Sequence, residues 1–197
     1  RLNVYNPLNH SYTLNVYASN GNVIGGYNGS GTVLNGFNDS NSIDLMYRNC
    51  SNRSDTYHVT IDYNGHVSTY DKGNTYSADK ATPVIGDVMI SDTKTFDGIN
   101  KQATELIKGR SAIRVTVASV SAQKYAKLRK ITVSYDGTEK IKSWTGETES
   151  DSNIAFDFTT SNGNELTVTV EDSRGLKTTR KIQLSFLQFA IPSLTLT

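Results

Sequence analysis

The chain of 197 residues has one cysteine, Cys50, and only three prolines and three histidines. A lone cysteine excludes an intramolecular disulfide and a cysteine-built zinc cage. No apolar run approaches the roughly 18 residues that a membrane-spanning helix needs. Twenty Lys/Arg stand against nineteen Asp/Glu, so the basic excess of a dedicated nucleic-acid surface is missing. At 36% apolar and 20% charged residues, the chain is polar but remains in the range of globular domains. It opens on Arg1 with no signal or transit pattern and reads as a piece of something longer.

What the sequence does contain is alternation with period two. Tyr12, Leu14 and Val16 share one face, against Thr13, Asn15 and Tyr17 on the other. Tyr57, Val59, Ile61 and Tyr63 repeat the pattern, opposed by His58, Thr60 and Asp62. Ile113/Val115/Val117, Ile131/Val133/Tyr135, Ile154/Phe156/Phe158, Leu166/Val168/Val170 and the even positions from Leu176 to Phe186 continue it. Successive strand side chains point to opposite faces, so each run buries one face and wets the other. Val, Ile, Thr, Tyr and Phe dominate these positions and suit a half-buried pleated surface.

Turn chemistry falls between the runs. Asn64-Gly65 and Asp136-Gly137 predict type I′ hairpins, whose two central residues need positive φ. Ser173-Arg174-Gly175 predicts a longer hairpin loop with glycine in the left-handed position. Helix is confined to two short connecting candidates, Asp39–Tyr47 and Ala122–Leu128. Short strands and turns at this spacing predict an all-β fold of antiparallel sandwiches.

An internal repeat is visible. Ala81-Thr82-Pro83-Val84-Ile85 and Ala190-Ile191-Pro192-Ser193-Leu194 both read A-x-P-x-[IL], with their prolines 109 positions apart. Val59-Thr60-Ile61-Asp62 and Val168-Thr169-Val170-Glu171 stand the same 109 apart. A shared offset predicts modules of about 110 residues, the size of an immunoglobulin-like domain. The expected organisation is two tandem immunoglobulin-like β-sandwiches, residues 1–82 and 83–190, with 191–197 opening a further module or serving as a linker. The first module is the more polar. It holds nine of the 11 tyrosines, 14 asparagines, and five Lys/Arg against six Asp with no Glu.

Chemistry-bearing constellations are few. His58 and His66 flank the Asn64-Gly65 turn, but a two-residue turn there pairs Tyr63 with His66 and sets His58 opposite residue 71. The two imidazoles are then too far apart to share a metal ion. Cys50 has no histidine near it in sequence. Glu147, Glu149 and Asp151 crowd a polar loop, Thr145–Asn153, rather than forming a carboxylate pair. Gly25-Gly26, Gly29 and Gly31 lack the following helix and Lys-Ser/Thr of a phosphate loop and read as a bulge region. Asp92, Asp97-Gly98, Asn100 and Glu171-Asp172 are oxygen-rich without calcium-loop spacing. Five N-x-[ST] sequons are expected from composition alone. No catalytic residue, metal or cofactor is expected. Among aromatics, Tyr12, Tyr57 and Tyr63 share register with aliphatic core residues. Tyr17, Tyr27, Tyr70 and Tyr76 are less committed to the core and are the candidate binding residues, since tyrosine fills partner pockets at low entropy cost.

A resemblance then appears in Ser91–Gly137. Asp97-Gly98-Ile99-Asn100-Lys101 is followed by Leu106-Ile107-Lys108-Gly109-Arg110-Ser111-Ala112-Ile113-Arg114-Val115-Thr116, then by Ala126-Lys127-Leu128, Ile131-Thr132-Val133 and Asp136-Gly137. This is similar to the immunoglobulin-like repeats of siphophage minor structural (tail) proteins. There an x-I-x-G-x-S-x-[IL]-x-V strand precedes a small-residue loop and a hairpin. Val168-Thr169-Val170-Glu171-Asp172-Ser173-Arg174-Gly175 resembles the V-x-V-x-D-x-x-G return hairpin of such repeats. The likeness covers about 83–197 and only loosely 1–82. It implies a non-enzymatic virion component, a tail or fibre spacer with a host-adhesion or tail-assembly surface. It further implies partners among other tail proteins and host cell-wall polysaccharide, and homo-oligomerisation through regions outside this sequence. Nucleic-acid partners and a membrane span are not expected. The alternative is a carbohydrate-binding adhesin repeat of a Gram-positive bacterial surface protein.

Overall fold

The computed structural model describes residues 2–34, 47–48, 54–75, 81–94 and 102–187. The chain divides into two compact units. The first holds Arg1–Thr82 with Ala122–Lys127 and Ser173–Leu176, and the second Pro83–Ser121, Leu128–Asp172 and Lys177–Thr197. The described regular structure is antiparallel β-sheet almost throughout.

The first unit contains β1 (Leu2–Asn3), β2 (Tyr12–Tyr17), β3 (Val23–Gly29), β4 (Val33–Leu34), β5 (Ser54–Tyr63) and β6 (His66–Thr75). Its main sheet has the order β3-β2-β5-β6, and β1 pairs separately with β4. The alternation decides which face closes. Tyr12, Leu14 and Val16 of β2 join Tyr57 and Val59 of β5 in a core with Ala18, Ile24 and Leu34. Asn64 and Gly65 have φ of 49° and 83°, the left-handed pair that a type I′ turn requires. The turn fixes the β5–β6 register from Tyr63↔His66 to Ser54↔Thr75, so His58 faces Asp71, with Nδ1 2.6 Å from Oδ1. In β3 the register slips, Val16 facing Gly25 and Tyr17 facing Val23. The extra residue, Ile24, is turned into the core, which is the purpose of a bulge.

The second unit contains β7 (Val84–Ile85), β8 (Val88–Asp92), β9 (Leu106–Ile107), β10 (Ile113–Ser121), β11 (Leu128–Tyr135), β12 (Thr138–Ser143), β13 (Ser150–Phe158), β14 (Glu165–Asp172), β15 (Lys177–Gln183) and β16 (Phe186–Leu187). In one sheet β10 lies between β13 and the pair β7 and β8; the other has the order β12-β11-β14-β15. β16 runs parallel to β9. Ile113, Val115, Val117, Ile154, Phe156 and Phe158 from one sheet are buried, as are Ile131, Val133, Tyr135, Leu166, Val168 and Val170 from the other. The Tyr135 and Phe158 rings meet edge-on, with centroids 5.5 Å apart. Two sheets sharing one core make a β-sandwich-like unit. β7 and β8 are a single edge interrupted at Gly86, whose N–H donates to the Ser119 carbonyl at 2.8 Å. A Cβ there would lie 2.3 Å from Ser119 Oγ and 3.1 Å from the Ser119 carbonyl oxygen, so the close approach favours glycine.

The two four-stranded sheets β3-β2-β5-β6 and β12-β11-β14-β15 have the same connectivity. In the first, Leu14 faces Ile61; in the second, Ile131 faces Val170. The 109-residue offset read from the sequence carries Ile61 onto Val170, so it links corresponding central strands.

Three expectations are corrected. Ala122–Leu128 is not helical: Lys124 and Tyr125 have φ of 51° and 62°, outside the right-handed region. The buried Arg174 side chain also takes the carbonyls of Gln123 and Lys124, together with that of Tyr47 at 2.9 Å. The run from Leu176 to Phe186 is not one strand but β15 and β16, with a break at residues 184–185. Within Thr145–Asn153, residues 150–153 belong to β13. Of Asp39–Tyr47 only Tyr47 is described; Cys50, Tyr76, Asp97–Asn100 and residues 191–197 lie outside the described residues.

The Gly109–Ser111 part of the motif has a physical reason. Ser111 is buried and its hydroxyl donates to the buried Asp92 carboxylate while accepting the Ile107 N–H at 2.7 Å. Asp92 also accepts the N–H groups of Ala112 and Lys94 at 3.1 and 2.8 Å. Ser161 donates to the Ile107 carbonyl at 3.0 Å, and Gly109 makes the turn with φ of 71°. Replacing Ser111 by alanine leaves a buried acceptor and a buried donor short of a partner. Ser111→Ala is therefore expected to lower stability by about 1–3 kcal/mol in urea unfolding. A loss indistinguishable from zero would contradict the role assigned to this hydroxyl.

Candidate functional site

One end of the first unit carries an open groove of about 270 Å³. Its floor is Val4, Tyr12 and Ile61, and its walls come from the 5–10 loop and from Tyr63 at the end of β5. The loop is held by Asn6. Its Nδ2 donates to the carbonyls of His10 and Ser30 at 2.8 and 3.1 Å, and its Oδ1 accepts the His10 N–H at 3.1 Å. Asn9 closes the bend with φ of 55°, a conformation asparagine tolerates better than most residues. The His10 and Tyr63 rings lie 5.1 Å apart at 40°. Tyr5 is 92% exposed and Leu8 74%, so the apolar wall faces solvent on a braced loop.

Tyr12 of the floor and Tyr27 beside it are tied to the backbone below the groove. Tyr12 donates its hydroxyl to the Gly31 carbonyl, and Tyr27 accepts the Gly31 N–H at 2.8 Å. Their rings are 5.6 Å apart. Burial raises the Tyr12 phenol above its ordinary pKa, and the Tyr27 phenol adds to the effect. Tyr12 is therefore neutral at physiological pH, as its donor role requires.

The sequence candidates do not converge. Tyr27 faces Leu14 across the sheet and packs against the core. Tyr70 faces Val59 on the edge strand β6 and is 58% exposed. Tyr17 lies on the opposite face of β2, paired with His58. These three are thus spread over both faces of one sheet, and Tyr76 lies outside the described residues. Tyr63 shows the reverse: alternation places it with the core, yet it is 36% exposed, because β5 ends there at the Asn64-Gly65 turn. Tyr5 and His10 carry no periodic signal, since they sit in a loop; the cue in sequence is Asn6-Pro7-Leu8-Asn9, turn residues enclosing an apolar one.

In the second unit the polar candidates form a different arrangement. Asp151 Oδ2 accepts from Lys142 and from the Trp144 indole, each at 2.7 Å. The Lys142 hydrogen bond, followed by that of Trp144, holds the Asp151 carboxyl below its ordinary range. Arg114 forms a two-point pair with Asp157 at 2.7 and 2.8 Å and lowers that carboxyl too. Tyr135 donates to the Gly163 carbonyl at 2.9 Å, and burial pushes its phenol up to about 12. Among the described residues no three His, Cys, Asp or Glu side chains come together to hold a metal ion, and no helix is long and apolar enough to cross a membrane. Comparison with family models, with curated proteins and with solved structures gives no match.

Trp144 is the only tryptophan, so its fluorescence reports on Asp151. Because the folded carboxyl is depressed, the pair stabilises the fold above the unfolded aspartate value and is lost as pH falls through the folded one. The expected outcome is an emission change with its midpoint below about 3.9, abolished by Asp151→Asn. A midpoint at or above that value would contradict the assignment.

Proposed function

We propose that this chain is a non-enzymatic structural segment of a phage tail or fibre, built from tandem immunoglobulin-like modules that act as a spacer and present an adhesion surface. The observation that carries this reading is the shared connectivity of β3-β2-β5-β6 and β12-β11-β14-β15, linked by the 109-residue offset in sequence. Modules repeated in series set a distance, and many weak contacts on many copies add through avidity. The Ser91–Gly137 resemblance supports the tail assignment, and the network around Ser111 gives its Gly-x-Ser element a structural reason. Paired side chains on the sheet surfaces fit a stiff spacer: Lys130 and Lys177 both reach Glu171, at 3.6 and 3.3 Å, and Lys181 reaches Glu165 at 2.9 Å. Exposed pairs of this kind set surface character more than stability.

Antibodies raised against the chain test the proposal by gold labelling of particles and cells under the electron microscope. Label on virion tails is the expected result. Label confined to the walls of cells free of particles would overturn it in favour of a bacterial surface adhesin.

A further inference from the structure

We infer that the groove bounded by Tyr5, His10 and Tyr63 binds an uncharged glycan containing N-acetylhexosamine. This gives the adhesion surface proposed above a site and rests on that reading. Four observations carry it. First, the size is that of one or two sugar rings: about 270 Å³ lies just under the usual small-ligand range.

Second, the lining contains no Asp, Glu, Lys or Arg, so apart from His10 it offers little to offset the desolvation of a charged ligand. Third, the walls are rings with a polar tip. A pyranose has one face of C–H groups and a rim of hydroxyls, and a tyrosine matches both with its π-face and phenol. Tyr5, 92% exposed, is a stacking surface, and the tilted His10–Tyr63 pair adds two more rings to the lining. Fourth, the floor of Val4 and Ile61 is aliphatic and takes a methyl group, which the acetamido substituent supplies and a plain hexose lacks. The three Asn6 hydrogen bonds brace the loop before the ligand arrives, so little ordering cost falls on binding.

Two-dimensional NMR of the labelled full chain, titrated with tetra-N-acetylchitotetraose, tests the inference, with cellotetraose and tetragalacturonate as comparison probes. The expected result is a saturable shift of the His10 ring and Tyr5 signals with Kd on the order of 1 mM, while the His58 ring is unmoved. Cellotetraose should bind at least about fivefold more weakly and tetragalacturonate not at all. Tyr5→Ala, at a solvent-exposed position that the fold does not use, should weaken binding about tenfold. Tyr5→Phe should retain most of it, and Tyr70→Ala should match the unaltered chain. No shift at His10, equal binding of cellotetraose or of the acidic probe, or full binding by Tyr5→Ala would each overturn the inference. Gold label retained on tails in that event would leave the tail assignment standing and remove only the glycan site.

Discussion

The alternation of side chains along a strand is the constraint on which the rest of the molecule depends. Once Leu14, Val16 and Val59 are committed to one face, every neighbour's direction follows, and a slip of one residue would expose the whole set. Main-chain hydrogen bonding then fixes the partner strand. The turns at Asn64-Gly65 and Asp136-Gly137, with both residues at positive φ in each, hold the hairpin registers in place. Because two sheets in the chain obey this rule with the same strand order, the same solution to burial is used twice.

Much of this can be read from residues. Tyr63 opposite His66 and His58 opposite residue 71 follow from a two-residue turn and strand pairing alone, and both pairings are present. Gly175 has the positive φ, 72°, that its hairpin loop implies. What periodicity does not contain is the end of a sheet. Tyr63 obeys the alternation of β5 and still faces solvent, because no strand continues over it past the turn. The 122–127 loop escapes for another reason: its shape follows from Arg174, some fifty residues away, which local propensity does not register. The groove is less legible still. Its walls come from a non-periodic loop, and that loop is braced by an asparagine whose carbonyl partners, at His10 and Ser30, no pattern announces.

The described polar groups are mostly spent on shape. Asp92 and Ser111 tie a loop to β9, Arg114 and Asp157 join two strands, and Asp151 holds Trp144 and Lys142. The groove differs in that Tyr5, His10 and Tyr63 are exposed and no Asp, Glu, Lys or Arg accompanies them. The proposed spacer and adhesion roles would ask for this division: sheets tied together by their polar groups, and a small aromatic surface braced from behind.

Amide hydrogen exchange tests the strand order most directly. In the central strands β2, β5, β11 and β14 both edges are paired, so protection should be continuous along each paired stretch. In the edge strands β6, β12 and β15 only every second N–H points to a neighbour, and protection should alternate with period two. Continuous protection along β6 or β15, or alternation along β5 or β14, would contradict the shared connectivity and with it the account of the chain as one sheet design used twice.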